Sequence, residues 1–190
     1  MRAKMKDDLV LGRVAIFCAL LLVPAKRKEG AKKIMEIRPA RLDETDLETI
    51  VHHRRAMFFD MGHRNERALD EMSEKFRPWL RQKMKADEYL AWFAIAPDGT
   101  VAAGAGLWLM DWPPLMAAGG KWRGNILNVY TEAAYRRQGL ARQLMLVVME
   151  WCEREGVEGV ILHASPEGRP LYESLGFEAT NEMRLTRPAQ

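Results

Sequence analysis

The 190-residue chain is long enough for one domain with a full hydrophobic core and too short for two comfortable ones. Residues 1–34 carry a net charge of +6 and the remaining residues carry −3, so the domain itself lacks the basic surface of a nucleic-acid-binding protein. Its two cysteines are too few for a disulfide framework or a cysteine-based zinc site. We therefore expect a domain of the reducing cytoplasm with no bound metal.

Residues 1–34 differ in composition from the rest of the chain. The segment Leu9–Ala25 is apolar except for Arg13, but its uninterrupted apolar run is shorter than the roughly 20 residues that span a bilayer. It could be a membrane anchor or signal, an extra helix, or the product of a start codon assigned too early. We favour the last interpretation, because the first predicted strand of the domain lies directly at Met35, a possible initiator. In addition, Lys28-Glu29-Gly30 can be encoded by a purine-rich stretch like a ribosome-binding site. The domain is then expected to comprise residues 35–190.

The domain is predicted to begin with a strand and a capped helix. Residues Ile34–Arg38 have the composition of a strand. Asp43 or Thr45 can cap the helix that follows, and Gly62 can end it. The apolar residues of this helix recur at helical spacing, but Arg54 interrupts the apolar stripe.

A second helix is predicted over Glu66–Lys85, where large apolar side chains follow the period of one helix face. Pro78 lies inside this range. Since proline lacks a backbone donor and clashes with the preceding turn, we expect the helix to kink or to break at Arg77.

Three strands are predicted next. Tyr89–Ala96 and Thr100–Met110 flank a Pro-Asp-Gly turn and should form an antiparallel hairpin. The segment Asp111–Lys121 is rich in proline and glycine and is predicted to be a loop. Trp122–Tyr130 is the third of these strands and the fourth of the domain.

The last part of the domain is predicted to alternate helices and strands. An amphipathic helix over Gly139–Glu155 is followed by a strand over Val157–His163. Ser165 can cap a short helix that Gly176 ends. Two final strands are predicted over residues 177–180 and 183–186.

The segment Asn128–Arg142 is the most informative part of the sequence. Its loop carries the pattern Arg-x-x-Gly-x-Ala over Arg136–Ala141 and leads from a predicted strand into the long helix. A helix N-terminus presents backbone N–H groups without partners and carries about half a positive charge. Gly139 allows the backbone to approach an anion closely. The segment therefore predicts a phosphate or pyrophosphate site, to which nearby arginines can contribute.

A second block, His163–Phe177, ends in Leu-Tyr-Glu-Ser-Leu-Gly-Phe. In order and spacing, the two blocks together resemble the Gcn5-related N-acetyltransferase (GNAT) family. The resemblance covers residues 35–187 and implies the GNAT acyl-CoA N-acyltransferase fold. This fold is of the α/β (α+β) class, with a mixed central sheet of about seven strands in the order β-α-α-β-β-β-α-β-α-β-β. Acetyl-CoA is the implied co-substrate, no metal is needed, and homodimers are common in the family.

The resemblance places the donor site in the fourth strand and the loop after it. The backbones of Val129 and Thr131 would bind the pantetheine and the acetyl carbonyl, where N–H donors stabilise an oxyanion. Ser165 stands where many members have an asparagine that contacts pantetheine, and it could equally be only a helix cap. The residues expected to bind the pyrophosphate are Arg136, Arg137, Gln138, Gly139, Leu140, Ala141 and Arg142.

Two catalytic residues follow from the resemblance and the residue chemistry. Tyr172 matches the family tyrosine beside the thioester sulfur, where a phenol can act as general acid, although it could also be a core residue. A general base must remove a proton from the attacking amine. Glu132, at the end of the fourth strand, is the first choice for this base, and Asp111 and His63 are the alternatives.

The acceptor pocket is expected between the first two helices and the loop after the third strand. Aromatic side chains beside a carboxylate would suit a cationic amine. The alternative is that Trp108 packs within the sheet and that the histidines lie on a helix surface. The pocket residues are Asp60, Trp108, Asp111 and Trp112, with His52, His53, Phe59 and Met61 nearby.

The sequence thus predicts a cytoplasmic N-acetyltransferase. It would transfer the acetyl group of acetyl-CoA to a primary amine by direct attack in a ternary complex, without a covalent enzyme intermediate. The partners would be acetyl-CoA and an amine, with no nucleic acid and no membrane. The alternative is a GNAT-fold module that binds acyl-CoA for sensing or assembly without useful catalysis. A membrane-tethered protein is a third hypothesis if residues 1–34 are retained.

Overall fold

The computed structural model of the chain describes residues 35–113 and 122–185. The expectations for residues 1–34 and for most of the loop after the third strand fall outside these ranges. Within the described ranges the chain forms five strands, four α-helices and one 3-10 turn. The elements are β1 (Glu36–Pro39), α1 (Glu44–Asp60), α2 (Glu66–Lys85), β2 (Tyr89–Ile95), β3 (Val101–Asp111), β4 (Trp122–Thr131), the turn Ala133–Tyr135, α3 (Leu140–Arg154), β5 (Gly159–Leu162) and α4 (Arg169–Glu173).

The strands form one mixed sheet in the order β1-β2-β3-β4-β5. The first four strands pair antiparallel, and β5 pairs parallel to β4. The predicted hairpin of β2 and β3 is confirmed: the backbone N–H of Ala96 donates to the carbonyl oxygen of Thr100 at 2.8 Å. Gly99, in the turn, adopts a φ of +86°, which favours glycine.

Helices cover both faces of the sheet. Leu144 and Val148 of α3 pack with Ile126 on one face, whereas α1 and α2 pack on the other face. The adjacent residues Trp92 and Phe93 of β2 belong to opposite clusters, as the alternation of side chains along a strand requires. The ends of the central strands therefore lie between two helical layers.

The start of α1 is fixed by two carboxylates. Asp43, rather than Thr45, is the cap, and its Oδ1 accepts a hydrogen bond from the backbone N–H of Asp46 at 2.9 Å. The Asp46 carboxylate is buried and accepts hydrogen bonds from both terminal nitrogens of Arg38, at 2.6 and 2.8 Å. This pair ties β1 to α1.

We expected Pro78 to kink the second helix or to break it at Arg77; the helix runs from Glu66 to Lys85 through Pro78, so the break does not occur. Phe76 and Leu80, on either side of Pro78, are both buried in the core between α2 and the sheet. A proline inside a helix costs about 3 kcal/mol, and burying two large apolar side chains contributes a comparable amount. Packing against the sheet therefore outweighs the local cost of the proline.

The two predicted C-terminal strands do not form in the described part of the chain. Residues 177–185 have no strand pairing, so the described sheet has five strands rather than about seven. Met183 is 94% exposed and Leu185 is 82% exposed. Alternating apolar residues specify a strand only when their side chains are buried on one face of a sheet. The side chains of Met183 and Leu185 are not buried, so the alternation does not produce a strand here.

No helix of residues 35–113 or 122–185 is long and apolar enough to cross a membrane. Across the same ranges, no group of three or more His, Cys, Asp and Glu side chains is placed to hold a metal ion.

Candidate active site

The predicted phosphate loop leads directly into the N-terminus of α3. Gly139 is the N-cap residue and adopts a left-handed φ of +80°. No side chain caps this helix, and its first turn contains no acidic residue. Gln138 is exposed and Ala141 is half-buried, whereas Leu140 is buried and anchors the helix to the sheet. In the part of the chain that the structure describes, the first backbone N–H groups of α3 therefore have no side-chain acceptor, an arrangement that can bind a phosphate.

The three arginines around the loop differ in their contacts. Arg136 forms an ion pair with Asp60, and this pair ties the loop to the end of α1. Arg142 donates to the Ser174 hydroxyl at 2.8 Å. Arg137 is exposed and adopts a φ of +63°. Among the described residues, Arg137 has no side-chain hydrogen bond or ion pair, unlike Arg136 and Arg142.

Strands β4 and β5 separate at the end of β4 that leads into the loop. Their parallel pairing ends at Ile126 and Leu162. Beyond that pair, no described residue pairs as a strand with the backbone from Val129 to Thr131 on the β5 side. We call the gap between these strand ends the donor slot. The chain leads from this end of β4 through residues 132–139 into the uncapped N-terminus of α3.

A β-bulge shapes the other side of β4. The register with β3 shifts between Gly104 and Gly106, and opposite this shift Asn128 adopts a left-handed φ of +54°. The Asn128 amide is buried, where it accepts from Arg54 at 2.9 Å and donates to the Tyr89 hydroxyl at 2.8 Å. Sequence reasoning missed this network. Its signals were an asparagine within an apolar strand and the arginine that interrupts the stripe of α1.

Tyr172 lies on α4 and packs against the same core cluster as Val129 and Leu162, which border the donor slot. Its ring meets Phe177 edge-on, with the ring centroids 6.1 Å apart. Burial raises the pKa of Tyr172 above its ordinary value. The phenol therefore keeps its proton at neutral pH.

Ser165 caps the turn that precedes α4. Its hydroxyl oxygen accepts a hydrogen bond from the backbone N–H of Gly168 at 3.1 Å. The regular helix begins at Arg169, one turn later than a helix capped by Ser165 would begin. The capping role expected for Ser165 thus applies to this turn.

Glu132 follows β4 and contacts two histidines of α1. Its Oε1 lies 3.0 Å from Nε2 of His52 and 3.6 Å from Nε2 of His53. The Glu132 side chain is 30% exposed, whereas His53 is only 2% exposed. Burial, with a smaller effect from His52, lowers the pKa of His53 to about 4, so His53 is neutral at pH 7. A partly exposed carboxylate in this setting can accept a proton and exchange it with solvent.

Replacing His53 with glutamine should make the fold less sensitive to acid. The pKa of His53 is about 4 in the folded chain, against an ordinary value of 6.5. Below pH 6.5 the unfolded chain binds this proton more readily, so folding stability is lost as the pH falls towards 4. This one group accounts for about 3 kcal/mol of that loss.

Urea unfolding at several pH values between 7 and 4 measures this effect. The free energy of unfolding should decline less steeply for His53→Gln than for the wild type. Gln82→Ala is the control, because it changes an exposed side chain of α2 that does not titrate and should leave the slope unchanged. Equal slopes for the wild type and His53→Gln would contradict the assignment.

Asp60 is placed near the loop but is already paired. Its carboxylate binds Arg136, whose guanidinium also lies 5.6 Å from the centre of the Tyr130 ring. The negative charge of Asp60, which we expected to attract a cationic amine, is therefore balanced within the protein.

His63, one of the alternatives to Glu132 as general base, packs edge-on against Phe58, with the ring centroids 5.5 Å apart.

The structure does not bring Asp111 and Trp112 next to Glu132. Asp111 pairs with Trp122 at the start of β4, whereas Glu132 follows its end. About ten residues of extended strand separate these ends, a distance of about 30 Å. Trp108 lies within the sheet and packs against the core under α1 and α2.

The comparisons with known proteins assign this architecture to a family. The sequence profile of the acetyltransferase (GNAT) family matches residues 47–177. The chain belongs to the GNAT family. The matched range includes the loop, β4 and β5, and Tyr172, so the protein is an acyltransferase enzyme of the GNAT type.

Individual GNAT relatives agree with this assignment. A GCN5-related N-acetyltransferase from Ralstonia eutropha is 34% identical, with a TM-score of 0.74, over 82% of this chain and 99% of its own. A predicted acetyltransferase from Clostridium acetobutylicum, solved with acetyl-CoA, is 23% identical and has the same fold, with a TM-score of 0.73 over 81% of this chain and 96% of its own. The glucosamine 6-phosphate N-acetyltransferase of Trypanosoma brucei brucei is 34% identical over 94 residues, 49% of this chain. That match spans only 62% of the trypanosome enzyme.

Proposed function

We propose that this GNAT enzyme transfers the acetyl group of acetyl-CoA to a primary amine, by direct attack in a ternary complex. The observation that carries the proposal is the donor slot at the end of β4, from which the chain leads into the uncapped N-terminus of α3. An extended pantetheine arm suits a gap between two strand ends, and a pyrophosphate suits a helix N-terminus. The Clostridium relative, solved with acetyl-CoA, supports this choice of donor.

The proposed reaction needs one nucleophile and two proton transfers. The nitrogen of the amine attacks the thioester carbonyl carbon, and a C–N bond forms. Backbone N–H groups of Val129 and Thr131 stabilise the negative oxygen of the tetrahedral intermediate. The C–S bond then breaks, and the sulfur of CoA takes a proton from Tyr172, which regains one from solvent. The excess proton on the nitrogen passes to Glu132.

Glu132 is our proposed general base because its carboxylate is partly exposed and held beside two imidazoles. His52 lies at hydrogen-bonding distance from Glu132 and is exposed, so it offers a route from the carboxylate to solvent. His53 is buried, and its ring centroid lies 5.2 Å from that of Tyr130. This packing holds the His53 ring in place beside the Glu132 carboxylate.

The proposed acceptor is a primary amine, and the proposed compartment is the cytoplasm. The trypanosome relative is named for an amino sugar phosphate, which makes glucosamine 6-phosphate one member of the first assay panel. A polyamine, an amino acid, an aminoglycoside antibiotic, a lysine peptide and a protein N-terminus complete the panel.

Replacing Gly139 with valine should weaken acetyl-CoA binding about tenfold or more. A β-branched residue disfavours the φ of +80° that Gly139 adopts, so the loop must rearrange and its N–H groups no longer converge on the pyrophosphate. At 100 times its Kd, a ligand stabilises a protein by about 2.7 kcal/mol, which raises Tm by several degrees. A thermal-shift titration of the full-length chain with acetyl-CoA should show this shift for the wild type and a much smaller one for Gly139→Val.

Gly99→Val is the matched control for this experiment. Gly99 also has a positive φ, of +86°, but lies in the hairpin between β2 and β3. This variant should lose stability and keep the acetyl-CoA shift. If Gly139→Val binds acetyl-CoA as tightly as the wild type, the donor is not held by this loop.

A further inference from the structure

Arg54 is a partly buried cation with no carboxylate partner among the described residues. One terminal nitrogen of Arg54 donates to the side-chain oxygen of Asn128. The Nε of Arg54 is buried and has no hydrogen-bond partner among the described residues. The guanidinium lies between the rings of Phe58 and Phe76, at 5.0 and 4.6 Å from their centres. Burial lowers the pKa of Arg54, but a guanidinium stays charged at neutral pH. The two rings orient this charge without neutralising it.

Arg54 lines a cleft of about 440 Å³ next to α2, within the size range of small-molecule sites. Met72, Phe76 and Trp79 give the cleft an apolar wall. Lys75 adds a second positive charge at its edge. We call this space the Arg54 cleft.

The acidic residue of the cleft is already paired. Glu71 lines the cleft but forms an ion pair with Arg67 at 2.8 Å. The cleft therefore has an excess of positive charge beside an apolar wall, which favours an organic anion over a cation.

Two further buried polar atoms lie on the same side of the sheet. Trp108 Nε1 and Asn125 Oδ1 have no hydrogen-bond partner within residues 35–113 and 122–185, and the two residues are neighbours across β3 and β4. Trp108 meets Trp79 of the cleft wall edge-on at 5.2 Å. With Arg54 Nε, these are the three partnerless buried side-chain atoms in the described ranges. Since buried polar atoms normally have partners, the partnerless Nε of Arg54, a residue that lines the cleft, indicates a site that a ligand can complete.

We propose that the Arg54 cleft binds a small organic carboxylate with a flat apolar body. The carboxylate accepts hydrogen bonds from the Arg54 guanidinium, whose planar fork matches its geometry. The apolar body packs on Phe76 and Trp79, and Lys75 adds a weaker attraction from the edge. The cleft uses no residue of the donor slot or of the phosphate loop, so this proposal stands independently of the proposed acetyl transfer.

Fluorine NMR titration of the full-length chain with 4-fluorobenzoate tests the proposal. A ligand of this size should bind saturably with a Kd of about 1 mM. Its neutral analogue 4-fluorobenzamide should bind about tenfold more weakly or worse, because it lacks the charge that pairs with Arg54. Arg54→Met should weaken 4-fluorobenzoate binding by a similar factor. Lys85→Gln is the control, since Lys85 is exposed on α2 outside the cleft lining and should not change binding.

A second variant keeps the test valid if Arg54→Met fails to fold. Ala68 lines the cleft but is exposed, so Ala68→Phe should fill the cleft without disturbing the core. This variant should lose 4-fluorobenzoate binding and keep the acetyl-CoA thermal shift, which separates this site from the donor site. The proposal is overturned by the absence of saturable binding, by equal affinity for the amide, or by unchanged affinity in folded Arg54→Met or Ala68→Phe.

Discussion

Replacing Glu132 with glutamine should lower kcat by about 10²- to 10⁴-fold, the range typical of general acid–base catalysis. Glutamine keeps the shape of the side chain and its contact with His52 but cannot accept the proton of the amine. Acetyl-CoA affinity should be nearly unchanged, because the side chain lies outside the phosphate loop. Steady-state kinetics with a saturating amine, together with calorimetric titration of acetyl-CoA, measure both quantities.

Glu150→Gln is the control for Glu132→Gln, since Glu150 is an exposed carboxylate on α3. It should leave kcat and affinity unchanged. Glu132→Asp should retain part of the rate, because it keeps the acid–base group and only shortens its reach. If Glu132→Gln turns over at the wild-type rate, Glu132 is not the base and its histidine contacts are structural.

Replacing Tyr172 with phenylalanine should lower turnover by about 10²-fold or more while acetyl-CoA affinity stays near the wild-type value. Phenylalanine keeps the packing of Tyr172 with the core cluster that borders the slot. It removes the proton that the departing thiolate requires. Because burial raises the pKa of Tyr172, the wild-type phenol is protonated throughout the neutral range and the defect should persist from pH 6 to 8.

Tyr135→Phe provides the comparison for Tyr172→Phe. Tyr135 is a partly buried tyrosine that packs against the same cluster, and we assign no role to its hydroxyl. This variant should keep kcat within about twofold of the wild type, as expected for a peripheral change. Unchanged turnover in Tyr172→Phe would remove Tyr172 from the mechanism.

Local signals in the sequence predicted most of the fold. The predicted bounds of α2 match the structure, and Gly139 begins α3 as a loop glycine should. The absence of a break at Pro78 and of the two final strands in the described chain has a common physical reason. Packing keeps α2 continuous through Pro78, and a lack of packing leaves residues 177–185 without strand structure, so tertiary burial overrides the local pattern in both cases.

The candidate site was less predictable than the fold. The Arg-x-x-Gly-x-Ala pattern predicted the position of the phosphate loop, and the end of β4 predicted the position of Glu132. The contact of Glu132 with His52 spans 80 residues of sequence, and no periodicity indicates such a pair. The ion pair of Arg136 with Asp60 likewise joins α1 to the loop across 76 residues. Contacts of this kind depend on how the elements pack and not on the spacing within any one element.

The most direct test of the central claim is amine-dependent release of CoA from acetyl-CoA by the full-length chain, with the product identified by mass spectrometry. We expect at least one primary amine of the panel to gain a single acetyl group, one molecule for each CoA released. We expect Glu132→Gln to abolish most of this release while it still binds acetyl-CoA. Binding of acetyl-CoA without acetylation of any amine in the panel would contradict the account and favour a module that binds acyl-CoA without catalysis.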